Sequence, residues 1–93
     1  MLSKQREEIN IIDQKLLELL DLRMDIVTQV AHIKQANGMA IFDSQREQAI
    51  LDRLDQTIPE TEKKPFILDT FQAIMDYSKH YQARIIQKED HSS

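Results

Sequence analysis

The stretch from Lys15 to Lys34, KLLELLDLRMDIVTQVAHIK, decides how the chain is read. Together with the residues before it, the apolar positions Ile9, Ile12, Leu16, Leu19, Ile26, Val30 and Ile33 follow the three- and four-residue steps of one helix stripe, with a single gap where Arg23 falls. A guanidinium keeps its charge at any ordinary pH, so holding it on an apolar stripe is costly unless an anion meets it there. Arg23 is then either a polar residue that fixes register in a helix pair or a residue that binds a ligand. Its charged neighbours Asp21 and Asp25 lack the three- or four-residue spacing of a good intrahelical partner.

Working outward, the stripe predicts a first helix from Ser3 to Ala36, closed by Asn37-Gly38, a pair suited to the left-handed backbone that ends helices. At about 1.5 Å per residue such a helix is roughly 50 Å long. The remaining ~55 residues of one chain cannot cover a stripe of that length, which points to a second copy of the same helix. A short connector, Met39 to Phe42, leads to a second helix that ends near Gln56, with Ala49, Ile50, Leu51 and Leu54 on its apolar side. Ser44 and Glu47 have the spacing of a capping box. Pro59 breaks this helix, and Pro65 fits the first turn of a third. The third helix carries Ile67, Phe71, Ile74, Met75, Ser78, Tyr81, Gln82 and Ile85 on one broad face and fades into a polar tail at about residues 87–93. The expected architecture is all-α, three helices per chain in the order long, short, long, paired as an intertwined homodimer. Residues 1–93 form a single domain in this reading.

Composition narrows the function. The 93 residues include one Gly, two Pro and no Cys or Trp, with 41% apolar and 30% charged residues. Without cysteine there is neither a disulfide framework nor a thiolate metal site, which suits a reducing cytoplasm. The first ten residues, MLSKQREEIN, lack the apolar core of a signal peptide, and no apolar run approaches membrane-spanning length, so the expected protein is cytoplasmic with no membrane partner. A formal charge of −4 without a basic run argues against nucleic acid. His32, His80 and His91 share no metal-ligand spacing, and neither a nucleophile motif nor a phosphate loop is present.

The charged and polar residues on apolar faces each allow two readings. Arg23 and Lys34 are eleven residues apart, close to three turns, and could grip one small anion; Lys34 could equally complement the end of its helix. Asp43, Arg46 and Glu47 share one face of the second helix's first turn, as a surface ion pair with a capping box or as part of a site. Ser78 and Gln82, four apart on the third helix, could be satisfied core residues or could face a ligand. Side chains of this kind suit one sort of catalysis, holding a polyanion in a reactive shape and stabilising charge that shifts during reaction.

At this point the pattern resembles a known family. The run Arg6-x-x-Ile9-x-x-Ile12-Asp13-x-x-Leu16-Leu17-x-Leu19-Leu20-x-x-Arg23, then Lys34, Asp43-x-x-Arg46-Glu47, Phe71-Gln72 and Ser78-x-x-x-Gln82, resembles the all-helical chorismate mutases, in particular the mutase domains joined to prephenate dehydratase in bacteria. The likeness spans about residues 5–86. Each element alone is weak, but eight polar positions at these intervals form a specific set. The resemblance implies rearrangement of chorismate to prephenate, a unimolecular pericyclic shift that needs no nucleophile, proton transfer or cofactor. It further implies that Arg6 and Arg23 bind the two substrate carboxylates, that Lys34 and Gln82 donate to the ether oxygen of the breaking bond, and that Glu47, helped by Lys34, holds the ring hydroxyl. Asp43, Arg46 and Ser78 complete the wall. Arg6 and Arg23 lie seventeen residues apart, about 25 Å along one helix, too far to clasp one ten-carbon dianion, so Arg6 is expected from the partner protomer.

Two other readings remain. Isochorismate-pyruvate lyases share this fold, but family lyases have an apolar residue where Glu47 stands. A non-catalytic helical dimer, serving interaction or regulation, accounts for the heptads but not for Arg23, Lys34 and Gln82 on apolar faces. The resemblance leaves open whether the protein acts alone or in complex with another shikimate-pathway enzyme, and assigns no role to Asn10 or His32.

Overall fold

The computed structural model describes the backbone of residues 1–92 and the side chains of residues 1–88. Three helices and no strand occur among the described residues: α1 Ser3–Ala36, α2 Ser44–Thr57 and α3 Lys64–Ser92. The end of α1 follows from its sequence. Gly38 takes φ +64°, its N–H donates to the Gln35 carbonyl at 3.3 Å, and the Met39 N–H reaches back to the Lys34 carbonyl at 2.8 Å. This is the paired 5→2 and 6→1 closure that a glycine at this position permits.

The start of α2 departs from the capping-box expectation. Asp43, not Ser44, is the N-cap, and its Oδ1 accepts from the Arg46 backbone N–H at 3.0 Å. Asp and Ser are comparable caps, and the chain enters the helix one residue earlier than the Ser44–Glu47 spacing suggested. Asp43 thus meets the main chain of Arg46, where a surface ion pair with its guanidinium had been the plain alternative. At the far end Ile58 is extended, φ −76° and ψ 127°, as a residue before proline prefers, and Pro59 stops the helix there. Lys64 then ties α2 to α3. Its ammonium donates to the Asp55 carbonyl at 2.7 Å and pairs with the Asp55 carboxylate at 3.1 Å and with Glu60, while the residue is buried. The hydrogen bond to Glu60 leads the influences that push the Lys64 pKa up, against the opposing pull of burial.

α3 runs on to Ser92, past the point where the polar tail was expected to leave the helix. Lys, Glu, Gln and Asp have no apolar face to mark a helix, yet Lys, Glu and Gln are good helix formers once a helix has been nucleated upstream. α3 lies parallel to α1, since Arg23 bonds Ser78 and Thr28 bonds Tyr81 further along both helices. It is antiparallel to α2, where Glu47 meets Lys79 and Asp55 meets Lys64.

The three helices form a single thin layer, 56 × 29 × 14 Å. Among the described residues the buried apolar ones are Val27, Ala31 and Met75. The stripe residues Ile9, Ile12, Leu16, Leu19, Ile26 and Ile33 remain between 50% and 63% exposed. The chain presents 7711 Å² to solvent, whereas a compact monomer of this mass presents about 5,600 Å². Stable domains bury apolar faces between two packed layers, and here one layer is made by one chain.

Candidate active site

Arg23 stands on the apolar stripe, and its stripe neighbours Ile26 and Val30 line a cleft together with it. Arg23 also belongs to a second line of α1, Arg23, Val27, Ala31 and Lys34, at steps of four, four and three, and that line faces the chain's own α3 and α2. The gap in the heptads therefore marks where the apolar stripe reaches the cleft. The Arg23 guanidinium donates to Ser78 Oγ, which itself donates to the Ile74 carbonyl at 2.8 Å. Ser78 is buried and holds the arginine by one neutral partner, leaving further N–H donors.

The cleft has a volume of about 370 Å³ and lies where α1, the connector, α2 and α3 converge. That is within the usual range of about 300–1,000 Å³ for small-molecule sites. Arg23, Lys34, Asp43, Arg46, Glu47, Ser78 and Gln82 all line it, over an apolar floor that includes Val27, Ile50 and Met75. Arg6 does not; it is exposed on the first turns of α1. Lys34 donates to the Ile41 carbonyl at 2.6 Å, fixing the connector against α1 while two of its three donors remain for other partners. Gln82 is 6% exposed, yet its Oε1 has no hydrogen-bond partner. A buried amide oxygen left unpaired costs on the order of 1–3 kcal/mol, the kind of debt a bound ligand can relieve.

Lys79 lines the same cleft and was not among the residues singled out from the sequence. It pairs with Glu47 Oε2 at 3.0 Å and with Asp76 Oδ1 at 3.3 Å, and stands 4.7 Å from the centre of the Phe42 ring. The bond to Glu47 is the leading cause that raises the Lys79 pKa; partial burial opposes it and Asp76 adds to it. Asp76 is held below its ordinary value, first by a hydrogen bond from Gln72 at 3.1 Å and then by Lys79. A signal for Lys79 did exist: Met75, Ser78, Lys79 and Gln82 are i, i+3, i+4 and i+7, so all four share one face of α3.

Among the described residues no group of His, Asp and Glu side chains could hold a metal ion, and no helix is long and apolar enough to cross a membrane. His32 and His80 are exposed, and the side chain of His91 lies outside the described residues. What the cleft can do chemically is hold an anion. Its lining carries the cations Arg23, Lys34, Arg46 and Lys79 and the carboxylates Asp43 and Glu47, with the neutral donors Ser78 and Gln82 at the inner wall.

Comparison with known proteins agrees with this chemistry. The chain is 34% identical over 84 residues to the bifunctional chorismate mutase/prephenate dehydratase of Buchnera aphidicola subsp. Acyrthosiphon pisum, covering 89% of this chain and 22% of that protein. It is 31% identical over 88 residues to the chorismate mutase of Methanocaldococcus jannaschii, covering 94% of this chain and 89% of that one. The chain thus spans about a fifth of the length of the bifunctional relative and most of the length of the other. Residues 5–83 match the family chorismate mutase type II, and the chain belongs to that family.

Proposed function

We propose that the chain catalyses the rearrangement of chorismate to prephenate, in the cytoplasm, on the route to phenylalanine and tyrosine. The observation that carries this reading is the convergence of Arg23, Lys34, Arg46, Ser78 and Gln82, from all three helices, on one cleft. The substrate is a dianion in which a C–O bond breaks as a C–C bond forms, with negative charge growing on the ether oxygen. Arg23 takes one carboxylate, exchanging or sharing its hydrogen bond to Ser78 for a charge-assisted one. Lys34 keeps the connector in place with one N–H and turns the others toward the ether oxygen, joined there by the Gln82 amide. Donors already aimed at the position of developing charge lower the barrier because they need no reorientation during reaction. Glu47 accepts from the ring hydroxyl, helped by Lys34, and Asp43, Arg46 and Ser78 enclose the substrate. No cofactor takes part.

The second substrate carboxylate is assigned to Arg6 of a partner protomer. The support is spatial. Arg6 stands apart from its own cleft, and the outward stripe of α1 exposes the apolar side chains that a second α1 would cover. The surplus of about 2,100 Å² over a compact monomer corresponds to an obligate interface. In this homodimer two composite sites form, each with Arg23 from one protomer and Arg6 from the other.

The deciding experiment incubates the protein with chorismate, follows its loss and identifies the product. Prephenate is expected. Turnover of isochorismate to pyruvate in its place would move the reaction to the lyase class, and inertness toward both would leave a binding dimer.

A further inference from the structure

A carboxylate is an awkward wall for a cleft that binds a dianion. The Glu47 side chain is 16% exposed, and an ionised carboxylate so placed repels an incoming anion unless a cation offsets it. Lys79 is that cation by position. Its ammonium takes Oε2 of Glu47, while Oε1 carries no hydrogen bond among the described residues and is the acceptor left for a ligand hydroxyl. Lys79 is itself held from two further directions, by Asp76, which Gln72 braces one turn earlier, and by the face of the Phe42 ring on the connector. The line Gln72, Asp76, Lys79, Glu47 thus ties α3 to α2, and Phe42 adds the connector to it.

We propose that Lys79 is a positioning residue of the cleft, which fixes one oxygen of Glu47 and offsets its charge so that the other oxygen receives the ring hydroxyl of a dianionic substrate. This rests on the mutase reading. Because the hydroxyl is present before and after the rearrangement, the contact is equally strong in the ground and transition states, and its loss falls on KM more than on kcat.

The test is a double-mutant cycle on the full chain with chorismate, using Lys79→Met, Glu47→Gln and both together. Lys79→Met should raise KM about tenfold with kcat changed less than about threefold, and Lys79→Arg should restore most of the loss. In the Glu47→Gln background Lys79→Met should change kcat/KM by less than about twofold, because a neutral amide needs no counter-ion. An undiminished Lys79→Met effect in that background would make Lys79 a direct substrate contact and overturn the positioning role. A fall in kcat at constant KM, matched by loss of folded protein, would reduce it to a structural ion pair. An unmodified chain that leaves chorismate untouched removes the mutase reading and this proposal together, whereas an active chain indifferent to Lys79→Met removes this proposal alone.

Discussion

From Ser3 to Leu22, α1 leaves Ile9, Ile12, Leu16 and Leu19 at least half exposed and buries nothing, while from Arg23 to Ala36 the same helix buries Val27 and Ala31 and lines the cleft with Arg23, Val30 and Lys34. The apolar stripe itself is continuous across both halves, through Ile26 and Ile33. What changes is what the stripe meets: Ile9, Ile12, Leu16 and Leu19 face solvent in the first half, whereas Arg23, Ile26 and Val30 line the wall of a site in the second. One long helix so divided does two jobs. The exposed length of its stripe asks for another chain, and its inward line, spaced at four, four and three, holds cations over an apolar floor. The proposed dimer joins the two, since the first half of one α1 would bring Arg6 to the cleft formed by the second half of another.

The largest effect should come from the inward line. Arg23→Ala should cost two to three orders of magnitude in kcat/KM, because a charged donor to a substrate carboxylate is lost where water is largely excluded. Stability should hardly change, as among the described residues Arg23 is bonded to the neutral Ser78 hydroxyl, which keeps its bond to Ile74. The paired measurement is kcat/KM beside a thermal melt. A variant that melts early, with normal activity in the surviving folded fraction, would make Arg23 a register residue and erase the contrast between the two halves.

The outward stripe should respond in the opposite manner. Leu16 is half exposed in the single chain, and Leu16→Glu would forgo its burial at a proposed helix pair, about 3 kcal/mol, or roughly a hundredfold in dimer dissociation constant. Sedimentation should show monomers at concentrations where the parent is dimeric, and the melting temperature of the parent should rise with protein concentration. A concentration-independent melt together with an unchanged mass would mean that the exposed stripe is not covered by a second copy.

Much of this contrast was legible before the structure. Periodicity located α1 and the Asn37-Gly38 closure, and the intervals between polar residues picked out seven side chains that the fold brings to one cleft, with Arg6 apart from them. Periodicity could not tell that the stripe passes from an exposed face to the wall of a cleft, because spacing places Arg23 on the stripe without saying which elements meet it there. The choice between Asp43 and Ser44 as cap depends on where the connector turns, which is set by Lys34 holding the Ile41 carbonyl and not by local spacing. Lys79 escaped notice for a related reason. A lysine beside Ser78 reads as solvated until α2 places Glu47 opposite it and the connector places Phe42 beneath it.

A smaller effect is expected deeper in the cleft. Gln82→Glu changes few atoms, but an amide keeps its N–H donors at every pH, whereas a carboxyl group donates only when protonated. At neutral pH kcat/KM should fall about tenfold or more, and it should recover in part on acidification. The apparent pKa of the recovery should lie above the usual ~4.3, since burial disfavours the charged form of a carboxyl group. A pH profile identical to that of the parent would take Gln82 away from the breaking bond.

The smallest signal decides whether the two halves of α1 meet across an interface. Arg6→Ala and Arg23→Ala proteins should each be nearly inactive, and mixing them should restore activity once subunits exchange. In a heterodimer one composite site keeps both arginines and the other loses both. Random reassortment of equal amounts makes about half of the dimers mixed, with one working site in two, so about a quarter of parental activity should return. Restoration should track the rate of subunit exchange, followed independently by mass or by energy transfer between labelled chains. If exchange is complete and activity stays at the level of the single variants, Arg6 and Arg23 do not serve a common site. The exposed half of α1 would then be an interface without a part in the chemistry, and the second carboxylate would need a cation from the cleft's own lining, Arg46 being the candidate already in place.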